Sequence, residues 1–596
     1  MAEYARFKIK VNGTEIQEDI RDDVMEIVVD SNLHLPSMVV LQLFDDDVAW
    51  VDDSRFDLGK AIEISVSDVV IFKGEITSIE PDFAETGRAT LLIRGYDKSH
   101  RLHRGRKTQT YLQQKDSDMV GAIAGAAGLS VSSDATTAMN EYVIQNNQTD
   151  MEFILSRASR LGYHVYMDGD KFMFKKGEAV EDGPELTWGT TLRSFRPRWS
   201  GTHQVSQFKV YGWDGLDKVA IVGEATPQTV WKQGGMSKSG GAAADSAFNG
   251  AQTMSIVNQP VITKDEATAL ATAVSHEVSS QFVQAEGVCF GDPKVMAGKK
   301  VDVKGVGTRF SGKYYVTAAT HVYREGRYET NFTISGQLPN TINQLVGGGG
   351  NLQGSGKVQG PMVGVVTNLN DPNNLGRIKV KFPTLGENIE STWARVASPM
   401  AGKEMGFLYL PEVNDEVLID FELGDMHRPY MVGALWNSKD KPPLPSSTAV
   451  ASGKVVQRMI KSRVGHVIIL DDSQGAEKMI IRDKTTKNEI IIDSATNTMT
   501  INMDKDINVN AKGNMNFKAT GDIKMECTNM QIQTNANYKV NAMANIDMIA
   551  TTNGTYTANA IGMIEGKTSL ILTSGAAEVL MSTPSVTINK GALVVA

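Results

Sequence analysis

Residues able to do chemistry are sparse in this 596-residue chain, and where they gather they are poorly placed for it. His100 and His103 stand close enough to share a metal ion. Their neighbours, however, are Arg101, Arg104, Arg106 and Lys107, and such cations oppose a second cation. The same basic run has a composition that can touch nucleic acid. A solvated turn or a salt-bridged face between chains explains it more simply. Asp45, Asp46, Asp47, Asp52 and Asp53 surround Trp50, but their spacing is not that of a calcium-binding EF-hand loop. The two cysteines, Cys289 and Cys527, do not make a disulfide framework or a metal site. Cys289 reads as a small buried hydrophobe. There is no G-x-S-x-G, H-E-x-x-H, phosphate-binding loop or dinucleotide fingerprint. The expectation is a protein with no catalytic residues, no metal and no cofactor.

What dominates the chain is a repeat. From Met499 to Ile588, apolar residues come in pairs two apart, and each pair recurs every eight residues. The pairs are Met499/Ile501, Ile507/Val509, Met515/Phe517 and Ile523/Met525. After a slip of one residue they continue as Met530/Ile532, Tyr538/Val540, Ile546/Met548, Gly554/Tyr556, Gly562/Ile564, Leu570/Leu572, Glu578/Leu580 and Val586/Ile588. Spacing of two puts both side chains on one face of a strand. The Asn, Thr, Gly and Ala between pairs are turn and edge residues. Eight residues make one wall and a corner, and a single wall cannot bury its own pair. The other walls must come from other chains. Three chains, each giving one wall per turn, predict an intertwined homotrimeric β-prism with the pairs inside. No proline falls between Ser446 and Thr583, so the ladder keeps its N–H donors.

The elements before the repeat follow from shorter patterns. Six apolar or alternating runs, at 7–11, 24–29, 38–44, 61–66, 69–79 and 89–94, predict strands of a barrel or sandwich. Helices are expected from Asp116 as cap to Gly128, and from Thr149, in a capping box with Glu152, to Gly162. Strands return at 163–174 and 192–222. Residues 234–250, rich in Gly, Ser and Ala, predict a mobile loop. A third helix starts in a capping box of Thr263 with Glu266, its apolar stripe formed by Ala267, Leu270, Ala271, Val274, Val278 and Phe282. More strands fill 288–334. The order β, α, β, α, β suggests two related barrel-like half-domains within 1–346. A Gly-rich linker follows at 347–356, a compact β unit at 357–440, a Pro-rich linker at 441–454, and the needle-like repeat region at 455–596. The fold class is mainly β.

Net charge is −9, with 22% charged and 41% hydrophobic residues, values of an ordinary soluble protein of several domains. That balance gives no general attraction to nucleic acid or anionic membranes. The N-terminus, MAEYARFKIKV, does not read as a signal peptide, and no apolar run approaches the ~20 residues of a membrane helix.

The stretch 360–437 is the most specific text. Asn370, Asp371 and Pro372 are followed by Gly376, Arg377, Ile378, Lys379, Val380, Phe382 and Pro383. Then come Trp393 and Arg395, Gly406 and Phe407, Leu410, Pro411 and Glu412, Asp415, Glu416 and Val417, Arg428 and Pro429, and Gly433. In this order the residues closely resemble the OB-fold module of VgrG-type spike proteins of type VI secretion and phage-tail-like contractile injection systems. Ile378, Val380 and Phe382 should face inward, and Glu416 to Phe421 should alternate likewise. OB-folds also bind oligonucleotides or oligosaccharides, but Trp393, Phe407 and Tyr409 serve core or trimer packing equally well, with no basic-aromatic groove. Residues 95–102 and 104–107, 116–129, and 148–162 with Phe153, Ile154, Arg157, Ala158 and Gly162 resemble the same family's tail hub and that of phage late-control proteins.

The resemblance implies a structural central spike. Its trimeric hub would present six similar half-domains to a hexameric inner tube and to baseplate proteins. Its needle would pierce a target membrane, touched only in passing. A small PAAR-type tip protein would sit on Thr587, Ile588, Asn589, Leu593, Val594, Val595 and Ala596. The particle would be assembled in the bacterial cytoplasm, at the baseplate and tube tip, and could be released with the particle. Some relatives carry an enzyme after the OB module or the needle. Here only a Pro-rich break follows Asn437 and the repeat runs nearly to Ala596, so a minimal spike is expected. The metal-binding His-x-His of some short spikes is absent, the last histidine being His466. Two other functions remain in view: a delivered enzyme such as a peptidoglycan hydrolase hidden in the hub, and a phage receptor-binding fibre.

Overall fold

The computed structural model describes residues 6–85, 87–177, 182–227, 234–248, 250–336, 357–575, 577–582 and 585–588. The linker expected at 347–356 lies outside them. The chain divides into two units, 1–502 and 503–596.

The first unit opens with the six expected strands, β1 (Phe7–Val11), β2 (Val24–Asn32), β3 (Met38–Phe44), β4 (Ala61–Val66), β5 (Val69–Phe83) and β6 (Ala89–Tyr96). Alternate residues supply one core, among them Ile9, Ile27, Val29, Leu41, Ile64 and Ile93. Helix α1 (Asp116–Ala126) differs from expectation at its start. Asp116 is its first helical residue rather than its cap, because the buried carboxylate pairs with Arg157 and Asn140 instead. Helix α2 (Asp150–Leu161) has the capping box read from the sequence and ends on Gly162 at φ 68°. The Thr149 hydroxyl accepts from the Glu152 N–H at 3.1 Å, and the Glu152 carboxylate accepts from the Thr149 N–H at 3.0 Å.

The segments that follow include β7 (Tyr163–Asp168), β8 (Asp182–Thr187), β9 (Leu192–Trp199), α3 (Gly240–Ala247) and α4 (Lys264–Ser280). Helix α3 lies inside the expected mobile loop. Ser239 caps it, and Gly240 and Gly241 lie so close to Gln204 and Val205 that no Cβ would fit. Composition alone hid this packing role for the glycines. Helix α4 is capped by Thr263, but the Glu266 side chain turns to the Ile262 N–H and to Arg160, so the reciprocal half of the box is missing. Strands β10 (Val283–Phe290), β11 (Lys300–Lys304), β12 (Gly312–Tyr315), β13 (Ala318–Arg324) and β14 (Arg327–Ile334) follow.

Eleven strands form one sheet, in the order β9-β10-β14-β13-β2-β3-β6-β5-β4-β1, ending on the short strand Thr14–Glu15. The first and second halves of this region meet where β13 pairs antiparallel with β2, from Ala318 opposite Asn32 to Arg324 opposite Glu26.

The module after residue 357 is a five-stranded sheet of β15 (Met362–Asn368), β16 (Lys379–Lys381), β17 (Arg395–Val396), β18 (Glu416–Phe421) and β19 (Pro429–Ala434), in the order β16-β15-β18-β19-β17. Ile378, Val380, Phe382, Val417, Ile419 and Phe421 fill its core, as their alternation requires. An antiparallel meander completes the unit: β20 (Gln457–Lys461), β21 (Val467–Asp471), β22 (Lys478–Arg482), β23 (Glu489–Asp493) and β24 (Thr498–Asn502).

In the second unit the backbone bends at 504–505, 512–513, 520–521, 528, 535–536, 543–544, 551–552, 559–560 and 567–568. The interval is eight residues apart from the shortened steps around 528, where the sequence register slips. Between these bends no residue is paired in a strand with another described residue. Three strands close the unit: β25 (Ser569–Ser574), β26 (Ala577–Ser582) and β27 (Ser585–Ile588).

These last strands pair antiparallel, which the octad rule does not foresee. Leu570 stands opposite Met581 and Leu572 opposite Val579, while Val586 stands opposite Met581 and Ile588 opposite Val579. Leu580 was expected in the needle core beside Leu570 and Leu572, but it stands opposite Ile571 and Thr587. Glu578, its partner in the octad pair, stands opposite Thr573. The cause is the tight reversal after Ser574, with Gly575 at φ 55°, which sets even-numbered residues of β25 against odd-numbered residues of β26. Val579 and Met581 therefore share the column of Leu570 and Leu572, and Leu580 falls in the alternate column with Ile571.

Candidate functional site

The residues with chemical potential are held in structural pairs. His100 and Arg101 both reach Glu75, the former at 3.2 Å. Arg106 pairs with Glu152 and Lys107 with Asp150, so these members of the basic run have salt-bridge partners within the chain. Asp45 accepts from the N–H groups of Trp50 and Val51 at 2.8 and 3.0 Å, and Asp53 caps a short turn and pairs with Arg55. Cys289 is fully buried, and burial pushes its thiol up to about 12, far from a reactive thiolate. Among the described residues no three His, Cys, Asp or Glu gather as a metal site. No helix of the described residues is long and apolar enough to cross a membrane.

Buried histidines make the fold acid-sensitive. His34 and His321 are buried, and desolvation lowers each from 6.5 to about 4, while His164 falls further, by burial and by its neighbours His34 and His276. The unfolded chain binds more protons than the folded one between about 4 and 6.5. Stability is therefore full above pH 6.5 and falls as pH drops through that window. Thermal melts should show Tm dropping from pH 7 to 4.5, and replacing His321 with Gln should flatten the drop.

The OB module is organised by one carboxylate. Asp371 accepts from the N–H groups of Asn373, Leu375 and Arg377 at 3.0, 2.9 and 3.2 Å, and from the Arg377 guanidinium at 2.6 Å. The Arg377 partner holds its carboxyl well below the usual range. Arg377 and Lys379 then lie over the Trp393 ring at 5.8 and 5.5 Å. Pro372 and Gly376 shape the turn between clamp and strand, Gly376 at φ 69°. Phe382 lies in the core just before Pro383, and Pro429 starts β19, in which Gly433 stands opposite Leu418. Asp415 accepts from the Glu412 N–H just before β18, whose first residue is Glu416. The module rests on the first half of the chain. The Tyr142 hydroxyl donates to the Glu390 carbonyl at 2.9 Å, and Arg428 donates to the carbonyls of Val261 and Trp213 at 2.8 and 2.7 Å.

Large apolar faces are left uncovered within one chain. In the OB module the run 405–411 exposes Met405, Phe407, Leu408, Tyr409 and Leu410, ahead of the buried Pro411 and next to Gly406 at φ 150°. Trp393 is half-buried and Arg395 exposed. Phe407 and Tyr409 stack on each other rather than entering the core. In the meander, register aligns Ile460, Ile468, Ile481, Ile490 and Ile501 in one column and Leu470, Met479, Ile492 and Met499 in the next. Ile468, Leu470, Met479, Ile481, Ile492, Met499 and Ile501 are each 41–62% exposed. The octad count begins this face only at Met499. The same two-residue pairs already stand at 468/470, 479/481 and 490/492, hidden because their interval is longer than eight.

In the second unit the pairs recur every eight residues apart from one slip. Ile507, Val509, Met515, Phe517, Ile523, Met525, Met530, Ile532, Tyr538, Val540, Ile546, Met548, Tyr556 and Ile564 all lie in the runs between bends, and all are exposed. At its end Val579 and Met581 take the register positions expected for Glu578 and Leu580, and Val586 and Ile588 stay in the column of Leu570 and Leu572. Of the expected tip platform, Thr587 and Ile588 lie in β27, while Asn589, Leu593, Val594, Val595 and Ala596 fall outside the described residues.

Comparison with known proteins gives the following. Residues 1–325 match the family model described as the Alg8 N-terminal domain, and residues 362–436 match the type VI secretion system/phage-baseplate injector OB domain. A type VI secretion system spike protein, VgrG1a of Pseudomonas aeruginosa, is 26% identical over 151 residues, 23% of each chain. VgrG5 of the same organism is 40% identical over 72 residues, 11% of this chain and 9% of the relative. The actin cross-linking toxin VgrG1 of Vibrio cholerae is 30% identical over 95 residues, 15% and 9% of the two chains. The chain thus spans less than a quarter of the length of these curated relatives. Among solved structures, the E. coli c3393 protein, described as a type VI secretion component similar to the T4 tail proteins gp27 and gp5, aligns with a TM-score of 0.47 at 16% identity. It covers 72% of this chain and 99% of its own.

Proposed function

Because the chain belongs to the Alg8 N-terminal domain family and carries an injector OB module behind that domain, we propose that it is the central spike of a phage-tail-like contractile injection system. The observation that carries the reading is the exposed apolar surface of each unit, from Ile468 to Ile501 in the first and from Ile507 to Ile564 in the second, which finds no cover among the described residues of its own chain. Three chains wound together bury it: each contributes one wall per turn, and the pairs meet on the axis. A strand whose partners belong to other chains shows no pairing in one chain, as between residues 503 and 568. The exposed run 405–411 extends the same interface through the OB module.

The role is mechanical and not enzymatic. The candidate groups Glu75, His100, Arg101, Arg106, Lys107 and Asp53 are engaged in ion pairs and caps, and the prism resists compression because its strands are hydrogen-bonded across chains around one core. The hub adapts three chains to a hexameric inner tube and to baseplate proteins. The C-terminal end carries a PAAR-type tip. The spike is assembled in the cytoplasm with its particle, and release from the cell accompanies the particle. Particles purified from the producing cells should contain this chain at three copies each, and cells lacking it should yield no complete particles. Complete particles formed without the chain would overturn the reading.

A further inference from the structure

We propose that the start of β5 is a docking edge for an extended peptide arm of another protein of the particle, which adds as a strand beside residues 69–74. The source of the arm rests on the spike reading; the edge itself is a property of this chain.

The two halves of the first 334 residues share a plan. In the first, the start of β5 pairs with β4 and through it with β1, and the rest of β5 pairs with β6. In the second, β12 pairs with β11 and through it with β8, and β13, which follows β12, pairs with β14. The start of β5 and β12 are therefore counterparts, and each has a side turned away from its hairpin partner.

In β12 that side is covered from within the chain. The Gly234 N–H donates to the Lys313 carbonyl at 3.1 Å and the Gly235 N–H to the Arg309 carbonyl at 3.2 Å, while Met236 packs on the core. Both positions need glycine: a Cβ at Gly234 would overlap the Tyr314 hydroxyl, and one at Gly235 the Thr308 carbonyl. Further along the same side the Thr317 N–H donates to the Thr333 carbonyl of β14. The covering segment thus prolongs the line of β14.

In β5 the same side is open. Glu75 pairs with Tyr96, the last residue of β6, so β6 leaves β5 at that point. Lys73, two residues earlier, turns its backbone the same way as Glu75. Val70 does so too, because it follows the pair that closes the turn at Ser67 and Asp68, ahead of the bulge at Ile71. Among the described residues, 69–74 make no backbone-to-backbone hydrogen bond outside the β4 ladder. Instead, Val69 to Lys73 line a groove of about 660 Å³. Successive strand residues point to opposite faces, so a run of consecutive residues means that the edge of the strand opens into the groove.

The groove suits a peptide. Its buried acid, Asp97, already accepts from the N–H groups of Ser37 and Ser99, so the donors and acceptors on offer are those of the β5 backbone. Met167, Pro184, Pro293 and Met296 add an apolar wall, where a side chain of the arm anchors as Met236 does in the other half. Main-chain bonds along the edge, about 20 Å for six residues, supply affinity, and the wall supplies selectivity. The arm carries glycine where it crosses the wall, as the covering segment of β12 does.

The test compares the isolated intact protein with purified particles, by amide exchange resolved to Val70 and Lys73. Both amides should exchange as open surface chain in the isolated protein and about tenfold slower or more in particles. A photo-crosslinker at Val70 should join, in particles, to one glycine-containing segment of one other protein. Val70→Pro removes an outward N–H and leaves the β4 ladder intact, so it should keep the solution mass and Tm of the parent and lose the slowing at Lys73. Particles that lack the chain would overturn the spike reading and the arm with it. Particles that contain the chain, yet show fast exchange at both amides, would overturn the proposal alone. So would slow exchange already present in the isolated protein, or a crosslink to a second copy of this chain.

Discussion

Replacing Met515 and Phe517 together with Asp is expected to abolish the trimer. The two side chains lie between the bends at 512–513 and 520–521, and both are exposed in the single chain. In the prism, the same double change puts six carboxylates into one layer of an apolar core. Each would be desolvated without a partner, at a cost of several kcal/mol. Removing apolar area from both positions adds roughly 2–3 kcal/mol per side chain. Nothing else in the layer offsets this. The control is Asn516→Asp, which introduces the same charge one residue away. Alternation places it on the outer face, so it should leave the mass of the particle unchanged. Light scattering of the three proteins separates the outcomes: a trimeric double mutant, or an equally damaged N516D, would rule out inward pairs.

The second large effect is expected at Asp371. Its side chain is 3% exposed and that of its partner Arg377 is 13% exposed. Asp371→Ala leaves the guanidinium and three backbone N–H groups without their acceptor. Breaking a buried pair by removing one partner costs about 3–5 kcal/mol. The loss should be local to the OB module, appearing as faster proteolysis between 369 and 411 and as a lower-temperature unfolding step. Asp371→Asn keeps the acceptor oxygen but not the charge, and should lose about half as much. Equal stability of D371A and the parent protein would show that the clamp does not hold the turn.

The parts of this fold that can be read from the chain are those where one local signal is enough. Thr149 and Glu152 cap α2 because the capping box needs only four residues. Ile378, Val380 and Phe382 enter the OB core because alternation on a strand is a local rule. The bends of the second unit fall between the pairs because corners and pairs share one period. Partners distant in the chain decide the rest. Asp116 leaves its cap position for Arg157, forty-one residues away. Gly240 and Gly241 have the composition of a loop, yet they pack against Gln204 and Val205. The basic run after His100 has the composition of an exposed or interchain face, but its partners Glu75, Glu152 and Asp150 lie in the same chain. The end of the repeat folds as an antiparallel meander, whose reversals carry no signature in an octad count. Leu580 sits at the right octad interval after Leu572, yet one hairpin reversal at Gly575 is enough to move it to the other column. As for the OB clamp, Asp371 and Arg377 stand six apart in the sequence, but which backbone donors the carboxylate gathers depends on the turn at Gly376.

The most direct measurement is the solution mass of the intact protein, whose single chain is 64.7 kDa. The account predicts three chains, with no monomer on dilution, because the exposed apolar face of each unit finds no cover among the described residues of its own chain. A monomer at micromolar concentration would contradict it, since that face would then have to stay soluble on its own.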